Sequence, residues 1–260
     1  MQIQFSKYHG TGNDFILLDN RDARYNNLSR EQVAFLCHRR FGIGADGLML
    51  VEPTPDADFK MVYFNSDGNT SSMCGNGGRC ITAFAKTLGI IENKTSFVAI
   101  DGLHEAYLTN GEVSLKMIDV SQVLHHHDDY VLNTGSPHYV TFVDDIDAID
   151  VFKMGREIRY SDAFKKEGIN VNFVQTHQQG IKVRTYERGV EDETYSCGTG
   201  VVASAIVASQ VKLNKMKHIN ISTPGGLLEV RFDNVIENHF HDIWLTGKAE
   251  KVYDGEIVLR

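Results

Sequence analysis

Two short stretches of this sequence share one design: a cysteine, then at once a Gly-x-Gly triplet, then a run of helical character. They are residues 73–88, MCGNGGRCITAFAKTL, and residues 196–210, SCGTGVVASAIVASQ. Each puts its cysteine at a helix N-terminus, where unpaired backbone N–H groups and the positive end of the helix dipole favour an anion and lower a thiol's pKa. The flanking glycines let a ligand come close to the backbone. The offset from Cys74 to Cys197 recurs between Gly12-Asn13-Asp14-Phe15 and Gly135-Ser136-Pro137-His138, and residues 59–65 resemble residues 181–187 with one extra residue before Cys197. The chain therefore reads as an internal duplication of α/β (α+β) class. Two pseudo-symmetric halves are expected, each a curved mixed or antiparallel sheet around a buried central helix, with an active site in the cleft between them. Residues 1–119 with 247–260 would form the half carrying Cys74, and residues 120–246 the half carrying Cys197.

The remaining features bound the class. With 260 residues, 42% hydrophobic and 23% charged, the chain is long enough to bury a sizeable core. A net charge of −8 argues against a nucleic-acid or anionic-membrane partner, both of which want a basic face. No apolar stretch follows Met1 and none reaches membrane-spanning length, so the expected location is the cytoplasm. Four cysteines are too sparse for a disulfide scaffold, and a reducing compartment leaves Cys37, Cys74, Cys80 and Cys197 as thiols.

Taken in order, strands are expected at residues 3–8 and 15–19 around the Gly10-Thr11-Gly12-Asn13 turn. Ser29 and Gln32 form a capping box for a helix running through Arg40 and stopped by Gly42. Gly42-Ile43-Gly44-Ala45-Asp46-Gly47 matches GxGxxG by letter, but a helix precedes it and a strand follows, the reverse of a dinucleotide site. It reads as a turn, with Asp46 near the ligand. A strand at 59–64 leads through a polar loop, 65–72, to Cys74. The helix beyond is apolar on most of its circumference and ends at Gly89, with Cys80 a small buried residue. Strands at 95–101, 105–109 and 112–118 follow, the last two joined by an Asn110-Gly111 hairpin turn. His125-His126-His127-Asp128-Asp129 reads as a solvated loop, because adjacent side chains converge poorly on one metal ion. Helical segments are expected at 145–154 and 159–166. Strands follow at 170–174 and 181–186, the second buried helix from Thr199, and closing strands from Ile219, Leu227, Ile243 and Ala249.

Two thiols so placed can take a proton from an α-carbon on one face and return one on the other, inverting a stereocentre without metal or cofactor. Asn13, Asn65 and Asn170 would each singly be turn or cap residues. Arg188 would singly be a surface charge, yet Glu187-Arg188-Gly189 occupies the position that Asn65-Ser66 holds in the first half. A guanidinium there suits a second carboxylate.

At these residues the sequence resembles diaminopimelate epimerase. The resemblance is carried by KYHGTGNDFILLDN, RRFGIGADGL, FNSDGN, MCGNGGRC, GSPHYVTFVDD, INVNFV and YERGVEDETYSCGTG and spans nearly the whole chain. It implies cofactor-independent interconversion of LL- and meso-diaminopimelate on the way to lysine and peptidoglycan, by a homodimer. It implies that Cys74 and Cys197 are the catalytic pair, that the backbone at Gly75-Asn76 and Gly198-Thr199 holds the reacting carboxylate, and that Asn13, Asn65, Asn170, Glu187 and Arg188 contact substrate. Arg188 would meet the distal carboxylate, and His138 would support the cysteines. Ser136 stands where many members have Asn, Gly47 where some have Gln, and the segment from Glu187 to Cys197 is one residue longer than in many. Proline racemase-like enzymes share the two-thiol logic but have no need of the Asn170 and Glu187-Arg188-Gly189 contacts. A redox module using a Cys74–Cys197 disulfide is the alternative from outside enzymology.

Overall fold

The computed structural model describes residues 1–71, 73–178, 180–236 and 239–259. Ser72, the last residue of the loop expected before Cys74, lies outside them. The chain begins with β1 (Gln2–Gly10), β2 (Asn13–Asp19), α1 (Arg30–Cys37), β3 (Gly47–Glu52), β4 (Phe59–Asn65), α2 (Gly75–Thr87), β5 (Lys94–Ala99), β6 (Gly102–Thr109) and β7 (Glu112–Lys116). It continues with β8 (Val123–His126), β9 (Asp129–Asn133), β10 (Pro137–Phe142), α3 (Val151–Arg159), β11 (Asn170–His177), β12 (Gly180–Glu187), β13 (Asp192–Thr194) and α4 (Gly198–Val211). The last elements are β14 (His218–Thr223), β15 (Gly226–Ile236), β16 (His239–Lys248) and β17 (Glu250–Val258). Two compact units result, Met1–Leu115 with Gly247–Arg260, and Lys116–Thr246. No described helix is long and apolar enough to cross a membrane.

Within the first unit β1 pairs antiparallel with β2 and with β17, β2 runs parallel to β3, β3 antiparallel to β4, β4 parallel to β5, and β5 antiparallel to β6. Within the second, β9 pairs antiparallel with β10, β10 runs parallel to β11, β11 antiparallel to β12, β12 parallel to β14, and β14 antiparallel to β15. The succession of strand directions is the same in both. So is the position of the long helix, which follows β4 in one unit and the β12–β13 hairpin in the other. This is the mixed α/β repeat expected from the duplicated motifs.

The sheets curl because each must cover a helix with little polar surface. In α4, eleven residues from Gly198 to Ser209 are buried, and the helix packs against β9, β10, β11, β12, β14 and β15. α2 packs against β1, β2, β3 and β6 with Cys80, Ile81, Phe84 and Ala85 inward. A helix apolar on all sides has no solvent face and must be wrapped. The one charge buried among the described residues of α2 is Arg79, which is fully enclosed.

Several local expectations change in the structure. The capping box of α1 forms, with the Ser29 hydroxyl accepting from Gln32 N–H and the Gln32 side chain accepting from Ser29 N–H. The helix nevertheless ends at Cys37, not Arg40. The chain turns back so that Gly42, Ile43, Gly44 and Ala45 donate to carbonyls of Leu36, Cys37 and His38. A Cβ at Gly42 would sit 1.9 Å from the Phe35 carbonyl oxygen, so only glycine permits this closure. The two helical segments expected at 145–154 and 159–166 reduce to α3. Asp150 caps its start by accepting from Lys153 N–H, and Asp145 folds onto the amide of Asp147 instead of joining a helix. The histidine run is the tip of the β8–β9 hairpin: His125, His127 and Asp128 are exposed as expected, with His127 at φ 56° in the turn, but His126 packs on the rings of Tyr139 and Phe164. The Asn110-Gly111 turn has φ of 54° and 83°, as a two-residue hairpin requires.

The seat of α3 is set by Gly155, where an added Cβ would lie 2.3 Å from Tyr186 Cβ on β12. Gly155→Ala should lower stability by about 1–3 kcal/mol through overpacking, seen as a lower melting temperature. An unchanged or higher melting temperature, which alanine's helix propensity alone would give, would contradict this packing.

Candidate active site

The first unit builds its site on the start of α2. Cys74 is the N-cap, with extended backbone, and its sulfur accepts the Gly77 N–H at 3.2 Å. Glycine leaves room for that approach, since a Cβ at Gly77 would lie a tight 3.2 Å from the Cys74 Sγ and from the Met49 methyl. Asn13, at the turn between β1 and β2, places its Oδ1 4.0 Å from Cys74 Sγ and accepts from Asn76 Nδ2 at 3.3 Å. A charged cluster holds Asn13 in turn. Its Nδ2 donates to Asp46 Oδ2 at 2.6 Å, Arg39 bridges Asp46 and Asp14 at 2.7 Å each, and Lys7 meets Asp14 at 2.8 Å. Burial alone would raise the Asp14 carboxyl, but hydrogen bonds from Arg39 and Lys7 hold it well below the usual range. Asp46, expected near the ligand, thus orients a candidate ligand residue.

Behind this turn lies Arg79. Its Nη1 donates to Gly75 O at 3.2 Å, and its Nη2 to Thr11 Oγ1 at 3.1 Å and to Asn76 Oδ1 at 3.0 Å. Gly10 makes room, because a Cβ there would meet the Asn76 carbonyl at 3.1 Å and Arg79 Nη2 at 3.3 Å. Asn65, at the end of β4 opposite Gly47, is exposed, and its side chain joins none of these contacts. Gly47 has no space for a side chain: its Cβ would lie 2.5 Å from the Tyr63 ring.

The second unit places Cys197 at the N-cap of α4, buried, with no capping bond to its own helix and with Thr199 Oγ1 3.5 Å from its sulfur. Thr199 Oγ1 lies 2.9 Å from His138 Nε2, and Asn172 Nδ2 lies 3.1 Å from His138 Nδ1. An amide NH2 can only donate, so Nδ1 accepts and the ring proton sits on Nε2, directed at Thr199. Asn172 is fixed by Tyr139 O and Thr185 Oγ1. Gly200 is required here, for its Cβ would fall 2.2 Å from Asn172 Oδ1. Burial, then the charge of Arg188, drives the His138 pKa down to about 3, so the ring is neutral.

At the start of β11, beside the end of β12, Asn170 donates to Ser136 Oγ at 2.9 Å and to Pro137 O at 3.0 Å, and its Oδ1 accepts the Arg188 N–H at 2.9 Å. Arg188 is exposed, with Nη1 on Glu167 O and Nη2 3.4 Å from Ser136 Oγ. The short Ser136 side chain thus links Arg188, expected at the distal carboxylate, to Asn170, expected to contact the substrate. Glu187 accepts from Thr194 Oγ1 at 3.0 Å. In the first unit the structure joins Asn13, Gly75 and Asn76 to Cys74; in the second it joins His138 and Thr199 to Cys197, and Asn170 to Arg188. Sequence reasoning passed over Thr11, Arg79 and Asn172. A single charge in an otherwise apolar helix, and an Asn inside a strand buried on both faces, were the signals available.

The diaminopimelate epimerase family model matches residues 5–117 and 130–252, which is most of the chain. This chain belongs to the diaminopimelate epimerase family. It is 53% identical over 258 residues to a diaminopimelate epimerase of Flavobacterium psychrophilum, covering 98% of this chain and 100% of that one. Among solved structures, a phenazine biosynthesis protein of the PhzF family from Bacillus anthracis aligns with TM-score 0.75 at 14% identity over 100% of both chains. A probable proline racemase from Agrobacterium radiobacter, with bound carbonate, aligns with TM-score 0.66 at 17% identity over 99% of this chain and 93% of that one. These two likenesses concern the fold alone. Family membership does not by itself fix the state of the site's titratable groups. The His138 ring signals, assigned by comparison with His138→Gln in proton NMR, should not move between pH 8 and pH 5. A titration with a midpoint near the ordinary value of about 6.5 would contradict the neutral buried ring.

Proposed function

We propose that this chain interconverts LL- and meso-diaminopimelate in the cytoplasm, supplying lysine and peptidoglycan precursors, with Cys74 and Cys197 acting on one substrate as base and acid. The observation that carries this reading is the repeated placement of a cysteine as N-cap of a buried helix. The full-length likeness to a diaminopimelate epimerase supports the substrate. The α-carboxylate would lie on the amides of Gly75-Asn76 and Gly198-Thr199, in helix turns whose N–H groups have no intrahelical acceptor. Partial positive charge there stabilises the negative charge that spreads from the α-carbon into the carboxylate as the proton leaves.

One thiolate removes the α-proton while the opposite thiol delivers another, and the reverse reaction exchanges the roles. Neither metal nor cofactor is called for in this scheme. Asn13 would orient Cys74 and the reacting carbon's substituents, and Thr199 with His138 would do the same for Cys197. Arg188 would bind the distal carboxylate, with Asn170, Glu187 and Asn65 around the distal end. In this reading residues 1–119 with 247–260 and residues 120–246 each contribute one cysteine, and the protein works as a homodimer.

Reduced protein given LL-diaminopimelate should produce the meso isomer by chiral chromatography and should leave L-proline unchanged. Racemised proline with untouched diaminopimelate would overturn the substrate assignment. Cys74→Ser and Cys197→Ser should each lower turnover by about a thousandfold or more without lowering the melting temperature. Wild-type turnover in either variant would contradict the two-base mechanism.

A further inference from the structure

The two cysteine sites differ in one respect that the duplication does not predict. Arg79 is wholly buried, and among the described residues no carboxylate comes within ion-pair distance of it. Its three hydrogen-bond acceptors, Gly75 O, Thr11 Oγ1 and Asn76 Oδ1, are all neutral, and its Nε has no partner. A guanidinium stays charged even when buried, and an unmatched buried cation is costly unless something anionic faces it. The nearby charged groups cannot serve, because Lys7 and Arg39 already balance Asp14 and Asp46 in the adjoining cluster. Cys80 cannot serve either: burial holds its thiol neutral. What remains is Cys74, the N-cap of the same helix, whose sulfur already receives the Gly77 amide and whose helix start Arg79 grips through Gly75 O and Asn76 Oδ1.

Among the described residues, α4 buries no such cation. The position five residues beyond Cys197 is Val202, and the buried group that reaches the helix start is the neutral His138. Arg188 is the cation of that unit near His138, but it is exposed and screened by solvent. The Cys197 sulfur lies 3.5 Å from the Thr199 hydroxyl, whereas the Cys74 sulfur accepts an amide on a helix that buries a guanidinium.

We propose that Arg79 is a positioning residue that pins the Asn76 turn and makes Cys74, in preference to Cys197, the thiolate of the substrate-free protein. Its catalytic meaning rests on the two-thiol reading above: the resting protein is then poised with its base on the α2 side and its acid on the α4 side. It starts directly on one isomer and must exchange a proton with solvent before taking the other. The positive charge of Arg79 also favours the carboxylate bound at Gly75-Asn76, so its loss should raise KM as well as lower kcat.

The test is the rate of iodoacetamide alkylation against pH, resolved by peptide mass spectrometry for Cys74 and Cys197 in the reduced, substrate-free protein. It needs no turnover, and diaminopimelate turnover on the same samples reports separately on the functional reading. In the wild type the Cys74 inflection should fall below that of Cys197 and below the free-thiol value of about 8.5. In Arg79→Met it should rise by about one pH unit, with Cys197 unmoved and the circular dichroism spectrum retained; Arg79→Lys should restore most of the difference. A wild-type Cys74 inflection at or above that of Cys197 would overturn the proposal, and this arm stands even where Arg79→Met does not fold. An unmoved Cys74 in folded Arg79→Met, or an Arg79→Lys protein as high as Arg79→Met, would overturn it too.

Discussion

The structure depends on two helices that are enclosed at their N-terminal turns and along most of their length. α4 is buried along nearly its whole length and α2 along its first three turns. A helix enclosed in this way can end at the edge of its sheet only through its terminal turn, where the backbone donors are unsatisfied. The fold thus concentrates unpaired N–H groups at one point of each unit, and the sequence puts a cysteine there. Glycines at 77 and 200 follow from the same constraint. At Gly77 the sulfur, and at Gly200 the buried Asn172, occupies the space a side chain would take.

Much of this was legible from the residues. The repeated Cys-Gly-x-Gly stretches located both helices and both N-caps, and the capping box, the Asn-Gly hairpin and the rejected GxGxxG turn followed from local chemistry. What escaped depended on tertiary contact. The early end of α1 comes from a chain reversal that satisfies its last carbonyls, and only the close approach at Gly42 reveals it. Asp150 and Asp145 use their side chains against the backbone, which divided the helical pattern around α3. The histidine run became a hairpin because His126 finds Tyr139 and Phe164, residues distant in sequence. Arg79 and Asn172 are polar residues inside elements that are otherwise buried and mostly apolar. Their burial is sustained by partners from other elements, Thr11 for one and His138, Tyr139 and Thr185 for the other.

The fold is shared with proteins of different specificity, such as the probable proline racemase, so the scaffold does not select a substrate. Selection would fall to the residues at the ends of β10, β11 and β12. There Ser136, Asn170 and Arg188 form one hydrogen-bonded group whose guanidinium remains exposed. A ligand with a second carboxylate has a reason to reach it, and a monocarboxylate has none. The division of labour would be physical: helix termini would handle the reacting carboxylate common to amino acids, and loop residues what distinguishes one amino acid from another.

The central claim is that two thiols on opposite faces of one α-carbon exchange its proton. It is tested most directly by running the reaction in heavy water and stopping it at low conversion from LL-diaminopimelate. Mass and proton spectra of the separated isomers then locate the deuterium. Two bases predict a meso product carrying one deuterium at the inverted carbon and a remaining LL pool that is still protiated. A product that keeps the original proton, or equal deuterium in both pools from the earliest time, would mean that a single group handles both faces, and the account given for Cys74 and Cys197 would fail.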